Sequence, residues 1–213
     1  MGKYQGVIFD LDGVICFPDQ YHFQAWKQVA DEIGVYFDEK INNRLRGVSR
    51  MDSLDIILER SDRPYSAEEK AALAEKKNDL YKALLLNMSP RDLSPEVKET
   101  LEALRAAGLK LAIGSSSKNT KMILERLGLS GFFDAVSDGT NIQRSKPDPQ
   151  VFTMAAEFLG LPASQCLVVE DAEAGIRAAA AGGFDSAGLG EASAFAMTTY
   201  PMEHFRQLSQ ICL

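Results

Sequence analysis

"FDLDGVICFPDQYHFQAW", Phe9 to Trp26, decides the reading of everything after it. The apolar run Val7-Ile8-Phe9 reads as a buried strand, and it breaks off in two aspartates separated by Leu11. Residues two apart in an extended chain face the same side, so Asp10 and Asp12 can address one ligand. Gly13 relieves the tight turn behind them, and Pro18 fixes one backbone angle and has no N–H. From Asp19 the apolar positions Phe23, Trp26, Val29, Ala30 and Ile33 follow helical spacing until Gly34 stops them.

Downstream, the chain reads as wholly helical to about residue 89. Ser49 with Asp52, and Ser66 with Glu69, are capped helix starts, the second opening a long charged helix to about Leu86. From Ser94-Pro95 the rhythm changes. A helix closed by Gly108 leads into a strand, Leu109 to Ile113, that ends in Gly114-Ser115-Ser116-Ser117. A helix from about Asn119 to Gly128 and a short strand at Ala135-Val136 follow. Next come a helix over about Pro149 to Leu159 and a strand, Cys166 to Val169, ending in Glu170-Asp171. An alanine-rich helix then stops at Gly182-Gly183. Short apolar strands alternating with helices predict a parallel sheet covered on both faces. The expected fold class is therefore α/β, with a core of residues 1–16 and 90–213 split by an all-helical insertion, residues 17–89. After Leu189 the pattern allows either one short strand or a terminal helix.

The 213 residues suffice for one substantial core carrying a smaller unit. Net charge is −7 with basic residues scattered, which argues against nucleic acid or an anionic membrane as partner. Three widely spaced cysteines (Cys16, Cys166, Cys212) make neither a disulfide framework nor a zinc pattern, and read as buried thiols in a reducing compartment. No stretch approaches the roughly 20 apolar residues of a membrane span, and the N-terminus runs straight into a strand. A cytoplasmic enzyme is expected.

Ligands of open parallel sheets bind beyond the carboxyl ends of the strands. There the sequence gathers Asp10 and Asp12, the serine run, Glu170 and Asp171, with Lys146 in the Ser145-Lys146-Pro147-Asp148-Pro149 loop. Four carboxylates in a small space drive one another's pKa values up. A hard divalent cation with oxygen ligands removes that conflict, and magnesium is its usual identity where phosphates are handled. One carboxylate can then attack phosphorus while its neighbour gives and takes a hydroxyl proton.

The DLDGV box, the serine after the second strand, the SKP lysine and the ED pair together resemble the motifs of the haloacid dehalogenase superfamily. Within it, "YHFQAWKQVADEIG" (21–34), "RLRGVSRMDSL" (44–54), "SSSKN" (115–119) and "VEDAEAGI" (169–176) resemble the β-phosphoglucomutase family over nearly the full chain. The resemblance implies a Rossmann-like core with a helical cap that interconverts β-D-glucose 1-phosphate and glucose 6-phosphate through β-glucose 1,6-bisphosphate. It implies Asp10 as nucleophile and Asp12 as acid–base. It assigns magnesium to the Asp10 side chain, the Asp12 carbonyl and Asp171, with Glu170 supporting or ligating, and the transferring phosphoryl group to Ser115 and Lys146. The Lys146–Pro147 bond is expected to be cis, and His22 to couple cap closure to proton transfer.

A mutase also needs cations for the second phosphate. The segment Arg46, Gly47, Val48, Ser49 and Arg50 is the candidate on the cap side, with Arg50 as a planar fork. Ser116, Ser117, Lys118 and Asn119 are the candidates on the core side. Trp26 and Phe23 read as cap core. The family carries a lysine at the position of Arg46, often a serine at that of Ala172, and a threonine near Phe17-Pro18 whose hydroxyl can restrain the acid–base carboxylate. Pro18 lacks that hydroxyl, so Asp12 is expected to be freer and the phosphoenzyme shorter-lived. The partner expected is a small phosphorylated sugar, and the hinged chain is expected to be a monomer. The rival readings are a phosphatase of a small sugar phosphate and a catalytically silent sugar-phosphate sensor.

Overall fold

The run Gly6–Phe9 forms strand β1, and it occupies the middle of the sheet because it is buried on both faces. The computed structural model describes residues 2–46 and 48–213. After β1 come four helices, α1 (Asp19–Glu32), α2 (Glu39–Asn43), α3 (Arg50–Leu58) and α4 (Ala67–Leu85). Then follow α5 (Pro95–Ala106), β2 (Lys110–Gly114), α6 (Thr120–Arg126), β3 (Ala135–Ser137) and α7 (Gln150–Leu159). The chain closes with β4 (Cys166–Glu170), α8 (Glu173–Ala181), β5 (Asp185–Gly188), β6 (Tyr200–Pro201) and α9 (Leu208–Cys212). The sheet is six-stranded in the order β3-β2-β1-β4-β5-β6, and every pairing is parallel. This is the α/β architecture read from the sequence.

Strand periodicity assigns the two faces. Val7 and Phe9, with Leu111, Ile113, Leu167 and Val169, pack under α5, α6 and α9. Ile8, Ala112 and Val168 pack against α7 and α8 on the other side. Each fully buried aliphatic side chain here contributes about 1.5–3 kcal/mol. The inserted helices build an apolar cluster of their own from Trp26, Val29, Ala30, Phe37, Leu54 and Ile57, and meet the first cluster through Ala25, Tyr81 and Leu85. Trp26 is therefore the packing residue the sequence suggested, and Phe23 stacks on Phe37 at 5.6 Å. No helix among the described residues is long and apolar enough to cross a membrane.

The sequence-based starts and stops correspond closely to the helices. Ser66 and Glu69 form their capping box, Ser49 caps α3 through the Asp52 N–H, and Gly34 follows α1 at φ +70°. The tail contains both alternatives, a strand at β6 and a helix at α9. β5 carries the sequence Asp-Ser-Ala-Gly, which has no strand propensity of its own, and it forms because β4 offers a free edge to pair with. The three cysteines are buried and free, as expected.

Candidate active site

β1 lies between β2 and β4, with Phe9 level with both Ile113 and Val169. The residues that follow these strands therefore emerge side by side, which is how Asp10, Ser115 and Glu170 meet despite their separation in sequence. The Asp10 N–H donates to the Val169 carbonyl at 2.9 Å, fixing the point where the chain leaves the sheet. Asp10 and Asp12 line one cavity of about 510 Å³ together with His22, Arg46, Val48, Ser49, Arg50, Ser115 to Asn119, Lys146 and Asp171. Of the residues singled out in the sequence, Gly47 lies outside the described residues, and Glu170 sits behind the wall, 1% exposed.

At the core end, the Lys146 ammonium is buried between two carboxylates. It donates to Asp10 Oδ1 and, at 2.5 Å, to Glu170 Oε1. The Lys146–Pro147 bond is cis. Burial by itself would discharge this lysine, but Asp10 and Glu170 outweigh it and hold its pKa above the ordinary value. Glu170 Oε2 accepts the N–H groups of Asp171 and Ala172 at 3.0 and 3.1 Å, so both oxygens of this carboxylate are engaged. Burial pushes Asp10 well above the usual carboxylate range, with Lys146 opposing and the neighbouring acids adding. Burial and Glu170 push Asp171 up to about 7. One oxygen each from Asp10, Glu170 and Asp171 lie within 4.8 Å of one another. Three clustered carboxylates balanced by one ammonium, two of them held up in pKa, match an oxygen-liganded divalent cation.

Two glycines make room for this cluster. Gly13 has φ +92°, and a Cβ there would overlap the Asp171 carboxylate. In α8, a Cβ on Gly175 would overlap that of Glu170. The first was read from the sequence only as a turn, while the second carries no local signal because its requirement comes from across space.

Asp12 looks toward the inserted helices. Its Oδ2 meets His22 Nε2 at 3.2 Å, and His22 Nδ1 receives a hydrogen bond from Lys77 Nζ at 2.9 Å. While Lys77 is an ammonium it can only donate, and that state places the ring proton of a neutral His22 on Nε2, facing Asp12. Tyr81 stacks on the imidazole with centroids 4.1 Å apart, and Lys77 lies 4.4 Å from the Tyr81 ring centre and 5.1 Å from that of Trp26. Burial, then Lys77, lower the His22 pKa, so a neutral ring is favoured. Lys77 itself is pulled down to about 7 by burial and by Arg50.

That depression has a sign. The folded chain binds fewer protons at Lys77 than the unfolded chain between its folded pKa of about 7 and the ordinary 10.5, so this group's contribution to stability rises with pH across the window. Lys77→Met is expected to stabilise the fold at pH 7 by about 1–3 kcal/mol, as replacing a buried charge by a packed apolar side chain does. The gain should shrink toward pH 10. Urea unfolding of both proteins at the two pH values checks this; an unchanged or lowered midpoint at pH 7 contradicts it.

At the far end of the cavity, Arg50 Nη2 donates to Asn78 Oδ1 at 2.8 Å, and Asn119 Nδ2 donates to the same oxygen at 3.0 Å. Ser115 and Ser117 shape the loop between, their hydroxyls accepting the N–H groups of Ser117 and Asn119. Ser116 Oγ is buried with no partner. Arg46 turns toward the hinge and pairs with Asp19 at 2.5 Å, while the Ser49 hydroxyl is engaged with Asp52 at 2.6 Å.

Asp19, Lys77, Asn78 and Tyr81 were not singled out in the sequence. The run Glu75-Lys76-Lys77-Asn78-Asp79 looks like a solvated helix face. Its signal was spacing: Lys77 lies on the same stripe as Ala74, Tyr81 and Leu85, all buried.

The haloacid dehalogenase-like hydrolase family model matches residues 4–183. A β-phosphoglucomutase of Bacillus subtilis is 40% identical over 189 residues, covering 88% of this chain and 84% of that protein. A fructose-1-phosphate phosphatase of Escherichia coli is 32% identical, covering 86% of this chain and 95% of that protein. Among solved structures, a β-phosphoglucomutase from Clostridium difficile superposes with a TM-score of 0.90 at 36% identity, over 96% of this chain and 93% of that one.

Proposed function

The chain belongs to the haloacid dehalogenase-like hydrolase family, and from that membership we propose that it is a magnesium-dependent phosphomutase, a β-phosphoglucomutase in its specificity. One observation carries the reading: the cavity has cationic side chains at both ends, Lys146 by the aspartates and Arg50 by Asn78 and Asn119, and Lys118 also lines it. A phosphatase needs only the first.

In this reading the Asp10 oxygen not bonded to Lys146 attacks phosphorus of β-glucose 1,6-bisphosphate. An O–P bond forms to Asp10 and the bond to one sugar oxygen breaks, with Asp12 giving that oxygen a proton. Glucose 6-phosphate leaves, and in the next half-reaction an incoming β-glucose 1-phosphate presents its free 6-hydroxyl to the phosphorylated Asp10, which regenerates the bisphosphate. Asp12 takes the proton back while the phosphoryl group leaves Asp10. The hydrogen bond from His22 Nε2 orients the Asp12 carboxyl, and Lys77 keeps the His22 tautomer. Ser115 and Lys146 steady the phosphoryl oxygens. Magnesium, held by Asp10, Asp171 and the Asp12 carbonyl with Glu170 behind, would neutralise charge on the phosphoryl group.

The phosphatase reading has an observation of its own, besides the relative that bears that name. Pro18, the residue before α1, offers Asp12 no hydroxyl and no N–H. Pro18→Thr is expected to lengthen the life of the phosphoenzyme, measured by acid quench after phosphorylation; equal lifetimes would refute this role for the hinge.

The decisive assay supplies β-glucose 1-phosphate, magnesium and trace β-glucose 1,6-bisphosphate. Glucose 6-phosphate as the main product supports the mutase. Inorganic phosphate alone means a phosphatase, and neither product means a sensor.

A further inference from the structure

We propose that Asn78 is a positioning residue that makes the far end of the cavity selective for a second phosphate, an inference that rests on the mutase reading. Asn78 lies on α4, is 6% exposed, and its side-chain oxygen is where Arg50 of α3 and Asn119 of the core loop converge. Two donors on one oxygen fix the amide orientation, and its nitrogen reaches Glu75 Oε1 at 3.4 Å. Asn78 thereby joins three segments, two from the helical insertion and one from the sheet's edge, and sets the spacing of the groups that face the ligand.

The chemistry of that oxygen matters as much as its place. The Arg50 side chain is 21% exposed, and the carboxylate nearest it, Glu75, is 3.7 Å away and 64% exposed. A neutral amide aligns the guanidinium without neutralising it, so the charge stays available to an arriving anion. A phosphate oxygen carries the charge the amide oxygen lacks, so it offers Arg50 an ion pair and Asn119 a charge-assisted hydrogen bond, both beyond what the amide offers. A carboxylate at the same position would be a built-in competitor. Asparagine rather than aspartate is therefore the specificity-determining choice.

The test compares kcat/KM for phosphoryl transfer from β-glucose 1,6-bisphosphate with that from acetyl phosphate, which has no distal phosphate. Asn78→Asp preserves shape and accepting oxygens. It is expected to cut the preference for the bisphosphate about 10- to 100-fold, mainly through KM, the worth of a charge-assisted hydrogen bond. Asn78→Ser, which keeps a neutral acceptor, should retain most of the preference. The ratio is the readout because a folding defect lowers both rates alike. A wild type that prefers the bisphosphate and an Asn78→Asp that keeps this preference would overturn the proposal while leaving the mutase reading in place. A wild type with no preference would overturn both.

Discussion

Asp10→Asn is expected to abolish turnover, with a fall on the order of 10⁴- to 10⁶-fold, as loss of the proposed covalent nucleophile would. The substitution is nearly isosteric, and the amide oxygen can still accept from Lys146. What disappears is the carboxylate oxygen that would form the bond to phosphorus. The same change should stabilise the protein in chelator at neutral pH. Burial holds the Asp10 pKa well above its ordinary range, so the ionised group is disfavoured in the folded state, and an uncharged amide removes that cost. Steady-state assays together with thermal unfolding in chelator check both halves. A variant that kept a tenth of wild-type turnover would rule out Asp10 as the nucleophile.

Lys146→Met acts mainly on the fold. Lys146 is 3% exposed between Asp10 and Glu170, and removing it leaves those carboxylates without a counter-charge. Breaking a buried pair from one side costs about 3–5 kcal/mol. Urea unfolding in chelator at pH 7 should show that loss. It should diminish as pH falls, because Asp10, whose pKa burial holds well above the usual carboxylate range, no longer needs the ammonium once protonated, and saturating magnesium should restore part of it. Turnover should fall by about 10²- to 10³-fold even in magnesium, since a charge aimed at the phosphoryl oxygens is gone. Stability unchanged at pH 7 would mean that the two carboxylates do not depend on this lysine.

The sequence carried the core end of the site because its parts sit at strand ends. Asp10-Leu11-Asp12, the serines after β2 and Glu170-Asp171 each mark where an apolar run stops, and a central β1 brings them together. Lys146 was legible from its loop. The far side was legible only in part. Arg50 and Asn119 stood out, but Asn78, the residue that joins them, lies in a run of charged residues, and its burial depends on how α4 docks against the core. Lys77 escaped notice for the same reason, since composition marks it as solvated while helical phase places it over Tyr81 and Trp26. Gly175 was silent because a glycine's reason for being small lies in what approaches it, here the Glu170 carboxylate. β5 was silent because its pairing partner, not its own residues, makes it a strand.

The insertion and the core are linked through one chain of contacts. Asp12, on the core, meets His22 of α1, which meets Lys77 of α4, whose neighbour Asn78 meets Asn119 back on the core. In the proposed mechanism, proton transfer at one end and phosphate capture at the other thus share a helix, and movement of α4 would disturb both.

The most direct measurement is the site of the phosphoryl group on the protein. Wild-type protein mixed with labelled β-glucose 1,6-bisphosphate and magnesium, quenched in acid and digested, should carry one phosphoryl group, on the peptide containing Asp10 and at that residue. Label on Asp12, on one of the serines 115–117, or on no residue at all would contradict the account.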